Sequence, residues 1–595
     1  MPGDCWKGLL SYLRLSCFPK YIIFYFLFFS TISNAQLTRT PNAGALEQGI
    51  KEELRQSSQP PLFKTDNLAI TKPVEVKIDV ITFQLEHILF TGNSLLTNAQ
   101  IDLLVEPFLN NYIGLDQLKI LSGLIEEAYR KKGSIARVIT PAQEIRNKTL
   151  YLKIEESVYG QTVYRGDVTR VRIDQIQMLI DTAKGDAKLL DLESLNRGLL
   201  LADDLPGITV SGLLTQGSSP LSTDLIVSSS DEPLFYGNVQ LDNTGPEAIG
   251  VSRILTSLVL NSPLHIGDLL SAFYLHSQGS DYERLSYTFP MGNTGWRVGL
   301  NGSDMNYRLI SSDFTSLGAT GTSSSKGLEA SYPLIRSKSS NLYLTINADS
   351  HLFSNANAQE GLVSRYSIKD YSAALWGNSY DSFGVQGSNS YSFTLTSGYT
   401  NLIGSPNQVS VMESNNAQGG FIKNKYSLNR VQSLEKINIL QMLNVSPKDL
   451  SLYASLTGQV ANNNLDASEM IYLGGIYGVR AYPTNSGSGS QGQLGTVELR
   501  QSINQNIKLA IFFDYGRVQI NRNNTFTGAA TPNNYDLKGA GISFELQPTP
   551  NIDLKAIWAK RLGVDTQTYA YTNSGIYTDG KSGNGQLWLT ASIGF

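Results

Sequence analysis

The sequence predicts a mostly β fold, in which a large transmembrane β-barrel at residues 232–595 follows two small α/β modules. Three observations lead to this prediction. Segments of alternating apolar and polar residues fill the second half of the chain, an export signal begins it, and its composition is that of a strand protein. The 595 residues include 53 Gly, 30 Tyr and 22 Phe but only 7 Met, which is typical of turns and aromatic-bearing strands.

The charge balance and the residue spacing exclude several classes of function. Lys and Arg number 47 and Asp and Glu 51, so a net charge of −4 offers no polybasic surface for nucleic acid. The four histidines lack metal-ligand spacing, and the glycine-rich stretch at 487–492 lacks the Lys-Ser/Thr of a P-loop. The sequence also has no pattern of a catalytic triad. We therefore expect no enzyme activity, no metal or other cofactor and no nucleotide.

Residues 1–35 have the organisation of a secretory signal peptide. Basic residues precede about 12 apolar residues at 21–32, and Ser33-Asn34-Ala35 provides a small-residue cleavage site. Both cysteines lie before the apolar run, so the mature chain is expected to lack thiols and disulfides. An uncleaved anchor is the alternative. Because no later window offers about 18 consecutive apolar residues, an exported chain of this kind enters a membrane only as a closed barrel.

Residues 36–56 are predicted to contain a short amphipathic helix. Leu46, Ile50 and Leu54 recur at four-residue spacing among charged residues, which predicts a narrow apolar stripe. A lone helix of this length is marginal in water, so it should dock against another part of the protein. The polar stretch 57–80 is predicted to be a linker.

Two modules of similar size follow, at residues 81–156 and 157–231. In the first, the periodicity predicts the order strand, helix, helix, strand, strand, with Gly133 ending the second helix. The same order recurs in the second, where Asp191 should cap a helix and the Leu-Pro-Gly sequence at 205–207 should end it. The repetition indicates a tandem of small α/β domains.

Residues 232–595 show the repetitive alternation of transmembrane strands. Phe595, the expected C-terminal assembly signal, shares one parity with four other apolar residues: Leu587, Leu589, Ala591 and Ile593. At roughly 9–11 residues per strand plus turns, the region divides into about sixteen strands. A solvated β-sandwich would alternate similarly, but the export signal and the C-terminal aromatic residue favour lipid.

Strand parity also assigns a direction to one carboxylate. The apolar set expected to face lipid contains Ile507, Leu509, Ile511 and Phe513. Lys508, Phe512 and Asp514 should therefore face the lumen, since a carboxylate on the lipid side is costly. The alternative is an ordinary solvated acid near the rim.

Two motifs resemble the signatures of the Omp85/TpsB superfamily. Gly478-Val479-Arg480-Ala481-Tyr482 is similar to the V-R-G-Y/F tip of a long loop folded into the barrel, and Phe513-Asp514-Tyr515-Gly516 to the F-x-D-x-G barrel-wall strand facing it. The resemblance implies that Arg480 reaches down the lumen to Asp514, where a guanidinium fork matches a carboxylate bidentately. A solvated loop arginine is the alternative. Ala481 replaces the family glycine and would carry a steric cost if the site required a positive φ.

The order of segments also resembles that of the TpsB transporters of two-partner secretion, the ShlB/FhaC/HecB type of haemolysin and haemagglutinin exporters. The resemblance implies a plug helix, a linker, two POTRA (polypeptide-transport-associated) domains and a sixteen-stranded barrel. It implies an outer-membrane location in a Gram-negative bacterium, with the POTRA domains in the periplasm. The expected partners are one large secreted TpsA-like adhesin or haemolysin, outer-membrane lipid and, during biogenesis, the β-barrel assembly machinery.

Two other functions share parts of this pattern. An Omp85-type insertase shares the barrel, the arginine loop and the POTRA domains. Insertases do not resemble this chain in its plug helix, however, nor usually in having two POTRA domains. A diffusion porin has no use for two periplasmic domains. The resemblance therefore favours a transporter that recognises and secretes one unfolded partner.

Overall fold

The computed structural model describes residues 41–57, 82–402, 415–435, 449–562 and 585–595, apart from residues 220, 313, 360, 384–385, 527–528 and 531. The predicted signal peptide at 1–35 and nearly all of the predicted linker at 57–80 lie outside the described residues. None of the helices in the described residues combines the length and the hydrophobicity needed to span a lipid bilayer.

The amphipathic segment forms one helix, α1 (Ala43–Ser57), which ends one residue later than predicted. Asn42 caps its first turn, because the Asn42 Oδ1 accepts from the amide of residue 45 at 2.9 Å. Leu46 and Ile50 are buried, and Leu54 packs at the edge of the same cluster. The apolar stripe is therefore the face by which this helix docks.

The first α/β domain has a three-stranded sheet of order β2–β5–β4, in which β2 and β5 are parallel. Its elements are β1 (Thr82–Gln84), β2 (His87–Thr91), α2 (Asn98–Val105), β3 (Tyr112–Gly114), α3 (Leu115–Lys131), β4 (Ala136–Ile139) and β5 (Thr149–Glu156). The short strand β3, which the periodicity did not predict, pairs with β1. One face of α3 packs on one face of β5, through Leu121, Ile125 and Tyr129 on the helix and Leu150, Leu152 and Ile154 on the strand.

The second α/β domain repeats this arrangement with the sheet order β6–β8–β7 and a parallel pair, β6 and β8. Its elements are β6 (Val158–Arg165), α4 (Ile173–Lys184), α5 (Leu192–Asp203), β7 (Ile208–Gln216) and β8 (Ser222–Asp231). Asp191 caps α5, since its Oδ1 accepts from the amide of Glu193 at 3.0 Å. The predicted tandem of α/β domains is confirmed.

Sixteen strands in the described part of the chain form a closed antiparallel barrel, as predicted. The strands from β9 onward are β9 (Phe235–Asp242), β10 (Arg253–Asn261), β11 (Leu269–Ser277), β12 (Ser280–Met291), β13 (Trp296–Arg308), β14 (Ala319–Arg336), β15 (Ser340–Asn357), β16 (Leu362–Asp381), β17 (Gly387–Asn401), β18 (Gly419–Ser433), β19 (Leu450–Ala461), β20 (Ile471–Tyr472), β21 (Ser488–Gly489), β22 (Gln491–Ser502), β23 (Ile507–Gln519), β24 (Asn534–Thr549), β25 (Ile552–Arg561) and β26 (Gly585–Gly594). Of these, β20 and β21 lie outside the barrel ring, and β26 closes it by pairing with β9.

The two faces of the barrel wall follow the predicted parity. On β23, Leu509, Ile511 and Phe513 are 42%, 58% and 45% exposed, whereas Phe512 and Asp514 are buried. An outer face of exposed apolar side chains is what contact with lipid requires. The inner face carries the polar residues and the contacts described next.

The second α/β domain is anchored to one end of the barrel. Arg336, at the turn between β14 and β15, donates from Nε and Nη2 to the Asp204 carboxylate, both at 2.7 Å. Arg197 Nη2 donates to the carbonyl of Pro333 at 2.7 Å. These contacts identify the end of the barrel at which the α/β domains lie.

Candidate functional site

The connection between β19 and β22, residues 462–490, folds back into the barrel, and we call it the lumen loop. Beyond β20 the chain makes a tight turn, in which the Val479 amide donates to the Leu473 carbonyl at 2.6 Å. The apolar side chains of this turn are buried against inward-facing residues of β23–β26. The turn therefore presents Arg480 to the barrel wall.

Arg480 contacts Asp514, the two residues that the resemblance paired. Arg480 Nε donates to Asp514 Oδ2 at 2.9 Å and Arg480 Nη2 to Asp514 Oδ1 at 2.8 Å, which is bidentate geometry. The Arg480 amide donates to the same carboxylate at 3.1 Å, and Thr496 Oγ1 donates at 3.0 Å. One buried carboxylate thus binds both the side chain and the main chain of the loop tip.

A second carboxylate, which sequence reasoning missed, completes the site. Arg480 Nη1 lies 2.6 Å from Glu498 Oε1, and the guanidinium carbon lies 3.4 Å from the centroid of the Phe512 ring. In the register of β22 and β23, Thr496 lies opposite Asp514, and Glu498, two residues later on β22, lies opposite Phe512. All four side chains therefore point into the lumen from neighbouring strands. Parity applied to β22 would have given the direction of Glu498.

Arg500 balances the second carboxylate. Its Nε donates to Glu498 Oε2 at 2.7 Å, and its guanidinium stacks on the ring of Tyr453 at 3.9 Å. Two guanidinium groups therefore face two carboxylates. Removing one partner of a buried pair costs about 3–5 kcal/mol, because the other charge is left uncompensated. This chemistry is suited to holding a loop in one position.

Two glycines of the wall let the lumen loop approach closely. A Cβ at Gly539 would lie 2.7 Å from the Ala481 methyl, and a Cβ at Gly516, the last motif residue, would lie 3.0 Å from Leu473 and Val479. Ala481 is fully buried and is not among the described residues with a positive φ. The condition for a steric cost at this alanine is therefore not met, and Gly539 provides the space for its methyl group.

The remaining motif residues have separate positions. Gly478 lies in the tight turn, where a Cβ would approach a loop carbonyl oxygen to 2.0 Å. The ring of Tyr482 lies 4.5 Å from the guanidinium of Arg561. Phe513 points outward and takes no part in the lumen site, and Phe595 is 57% exposed on the outer face of the barrel.

Two further wall residues bind the main chain of the loop tip. Trp588 Nε1 donates to the Arg480 carbonyl at 2.8 Å, and Arg561 Nε donates to the Ala481 carbonyl at 3.1 Å. Trp588 lies between Leu587 and Leu589, which share the outward parity of Phe595, so its inward direction follows from the sequence but its partner does not. The loop tip is thus held from β22, β23, β25 and β26.

Helix α1 lies in the lumen against β13–β15, and Glu47 is its most buried charge, at 1% exposed. The Glu47 carboxylate accepts from the hydroxyls of Ser323 and Ser325, and lies 2.8 Å from Lys51 Nζ. Burial opposes ionisation, but Lys51 and His351 outweigh it and lower the pKa of Glu47 to about 2. The apolar stripe gave no sign of this contact, because Glu47 counted among the polar residues around it.

Two other acids of α1 bind the barrel wall. Glu52 forms an ion pair with Lys425 of β18. Glu53 accepts from Arg253 through both carboxylate oxygens at 2.8 Å. Arg253 Nε also donates to Asp242 of β9 at 2.9 Å. Arg253, on β10, therefore links the helix to β9, the strand that closes the barrel with β26.

The helix also touches the lumen loop. Asn485 Nδ2 donates to the Ala45 carbonyl at 3.4 Å. A Cβ at Gly49 would lie 2.6 Å from Asn485 Oδ1, and a Cβ at Gly44 would lie 2.9 Å from Ser468 Cβ. The two glycines therefore permit close packing, and the helix and the loop occupy the lumen as neighbours.

One group of potential metal ligands lies in this network. Among the described residues, His351, Asp370 and Glu469 place one ligand atom each within 4.8 Å of one another. His351 already binds Ser325 through Nδ1 at 2.7 Å and Asp370 through Nε2 at 3.1 Å, and Glu469 pairs with Lys423. These contacts assign the group to the ionic network around α1.

Comparison with known families and proteins agrees with this architecture. Residues 222–546, more than half of the chain, match the family model described as haemolysin secretion/activation protein ShlB/FhaC/HecB, and residues 83–157 match the ShlB-type POTRA domain. The heme/hemopexin transporter protein HuxB of Haemophilus influenzae (strain 86-028NP) is 22% identical over 85% of this chain and 88% of its own. The outer membrane transporter CdiB of Dickeya dadantii (strain 3937) is 25% identical over 39% of this chain and 42% of its own.

Solved structures share the fold. CdiB from Escherichia coli has a TM-score of 0.67 at 16% identity, covering 94% of this chain and all of that one. CdiB from Acinetobacter baumannii has a TM-score of 0.62 at 17% identity, covering 93% of this chain and 98% of that one. The family is one of transporters and not of enzymes. The chain belongs to the haemolysin secretion/activation (ShlB/FhaC/HecB) family, the TpsB outer-membrane transporters of two-partner secretion, whose POTRA domains lie in the periplasm.

Proposed function

We propose that this protein secretes one large, unfolded TpsA-type partner, an adhesin or haemolysin, through the lumen of its barrel. In the resting protein α1 is the plug, and the contact between Arg480 and Asp514 holds the lumen loop as a gate. The observation that carries the proposal is the filling of a closed barrel by two of the chain's own segments, both joined to the wall by ion pairs. Segments held in this way can move when a substrate enters.

The contacts of α1 are compatible with its release. Glu52 and Glu53 form ion pairs with the barrel wall and Glu47 with Lys51 of the helix itself, whereas the buried apolar surface comes mainly from Leu46 and Ile50. Charges regain their hydration on separation, so much of the Coulomb energy lost on undocking is offset. A narrow apolar stripe adds a smaller barrier than a full helix–helix interface. An entering polypeptide can therefore displace this helix.

The POTRA domains are the sites where the partner's extended amino-terminal region would bind by strand addition. β2 and β7 are edge strands of their sheets, and no described strand pairs with their outer sides. Leu89 on β2 is 49% exposed and Leu213 on β7 is 61% exposed. The unpaired N–H and C=O groups of an edge strand hydrogen-bond the added strand and supply affinity. The exposed apolar side chains of the edge strand contact alternate side chains of the added strand and supply selectivity.

The free energy for export would come from the partner itself. The sequence carries no phosphate-binding loop, and folding of the partner outside the cell would prevent its return. The lumen then only has to let an extended chain pass, because folding of the partner outside sets the direction of export.

Removal of the chain from its host tests the proposal. Culture medium and outer membranes of strains with and without it are compared by mass spectrometry. We expect one large protein to disappear from the medium and to return with the wild-type chain but not with Asp514→Asn, whose barrel insertion is checked by heat-modifiable migration. Unchanged medium with a general loss of outer-membrane barrels would support an Omp85-type insertase instead.

A further inference from the structure

The outer face of β14–β16 carries two lysines at one level. The register places Lys326 of β14 opposite Ser350 of β15, and Ser350 opposite Lys369 of β16. Their chain neighbours Ser325, His351 and Asp370 point into the lumen, so the row of Lys326, Ser350 and Lys369 points outward, with both lysines exposed. Two interstrand spacings separate the lysine backbones, about 10 Å.

The row of Lys326, Ser350 and Lys369 marks the border of an apolar band, on the side away from the POTRA domains. Toward the POTRA end the outward residues are mainly apolar: Leu328, Ala330 and Tyr332 on β14, Ile346 and Ala348 on β15, and Tyr371, Ala373 and Leu375 on β16. Away from that end β14 and β16 become polar, with Ser324 and Thr322 on β14 and Ser367 and Arg365 on β16, whereas β15 keeps one apolar residue, Leu352, before Ser354.

The level of the row can be estimated from strand geometry. Lys326 is ten residues from Arg336, the end of β14 that contacts the second POTRA domain. Ten residues extend about 34 Å along a strand, or about 25 Å along the barrel axis at the usual tilt, which is the height of an outer-membrane apolar band. The two ammonium groups therefore lie at the extracellular interface of the membrane.

The surroundings of the lysines agree with this level. Tyr371, two residues from Lys369 on the same face, is 67% exposed, and Tyr399, opposite Lys369 on β17, is 53% exposed. Tyrosines at this position are typical of the aromatic belt at a membrane interface. Neither lysine forms an ion pair with a described residue, and the outward acids Asp304 of β13 and Glu283 of β12 lie opposite each other, one row further from the POTRA end. The two lysines thus face the headgroup layer with no carboxylate in their own row.

We propose that Lys326 and Lys369, with the Ser350 hydroxyl between them, bind the phosphate groups of a phosphorylated glycolipid in the outer leaflet. Lysine ammonium groups bind phosphate as compact point charges, and basic residues between or beside membrane segments bind anionic headgroups. The occupant is a lipid because the lysines emerge directly above acyl-chain contacts such as Leu328 and Ala348. A soluble anion would gain nothing from that apolar surface.

The position of the site gives it a mechanical consequence. Ser325, beside Lys326 in the chain, binds Glu47 of α1, and His351, beside Ser350, lies close to Lys51 of α1. The bound lipid and the helix therefore occupy opposite sides of one wall segment. A lipid fixed at the row would hold the register of the strands that receive the plug.

Titration of the purified full-length protein in detergent with bis-phosphorylated lipid A, followed by native mass spectrometry, tests the proposal. Loss of both charges in K326Q/K369Q should weaken binding by about thirtyfold. K326R/K369R should bind as the wild type does, and Lys560→Gln, a control that removes an exposed lysine on β25, should have no effect. Dephosphorylated lipid A should bind the wild type as weakly as the phosphorylated lipid binds K326Q/K369Q.

Three results would overturn the proposal. Equal affinity of K326Q/K369Q and wild type would remove the lysines from the site. Equal affinity of the wild type for phosphorylated and dephosphorylated lipid would exclude phosphate recognition. Displacement of the lipid by equimolar inorganic phosphate would show an anion site without lipid selectivity. Heat-modifiable migration of each variant confirms that the barrel is folded before titration.

Discussion

Replacing Arg480 with methionine should release the tip of the lumen loop from the barrel wall. The side chain keeps its length, but Asp514, whose side chain is 0% exposed, loses its cation and retains only the hydroxyl of Thr496 among its side-chain partners. Glu498 keeps Arg500, so one carboxylate and not two is left uncompensated. The cost should therefore lie at the lower end of the usual range, about 3 kcal/mol. This corresponds to a roughly hundredfold lower ratio of docked to undocked loop.

Hydrogen–deuterium exchange measures this ratio directly. The Val479 amide is bonded to the Leu473 carbonyl only while the turn is formed, so its protection factor should fall about a hundredfold in Arg480→Met. Arg517→Met is the matched control. Arg517 lies on the same strand as Asp514, its side chain is 63% exposed, and its pair with Asp536 is long, at 3.8 Å. Its removal should leave the exchange of Val479 unchanged.

A double variant separates the ion pair from general damage to the loop. If Arg480 and Asp514 act on each other, Arg480→Met combined with Asp514→Asn should lose less protection than the sum of the two single losses, because the second change removes the uncompensated charge. Strictly additive losses, or a wild-type protection factor in Arg480→Met, would refute the reasoning that this pair holds the loop.

Two other predictions concern α1 and the first POTRA domain. The pKa of Glu47 is about 2 in the docked helix, against an ordinary value of 4.5, and Lys51 of the same helix supplies part of this shift whether or not the helix is docked. The Glu47 charge therefore adds at most about 3 kcal/mol to docking above pH 4.5, and this contribution is lost as the pH falls toward 2. Single-channel conductance in planar bilayers should rise across that window toward the value of a chain lacking residues 43–57. Glu47→Gln should conduct more already at pH 7, and a wild-type conductance that is flat down to pH 3 would contradict the assignment. Deleting residues 81–156 should abolish binding of the partner's amino-terminal region in surface plasmon resonance. Retained affinity would place recognition in the second domain.

Much of the fold could be predicted because its signals are local. The outward direction of Ile511 and the inward direction of Asp514 follow from counting along one strand, and the cap at Asp191 follows from one residue before a periodic run. The pairing of Arg480 with Asp514 needed a resemblance, since nothing in the spacing of the two residues relates a loop to a strand. The inward direction of Glu498 could be read from the parity of its strand. Its role could not, because its partner Arg480 belongs to the lumen loop.

The sequence by itself determined the architecture: an alternating pattern that, together with an export signal, indicates a wall between lipid and water, and a helix with too little apolar surface to stand alone. Only the tertiary structure decided which charges meet inside the lumen. Glu53 with Arg253 and Glu47 with Ser325 join parts of the chain that are hundreds of residues apart. Such contacts depend on the register of neighbouring strands, where a shift of one residue turns every side chain to the opposite face of the wall.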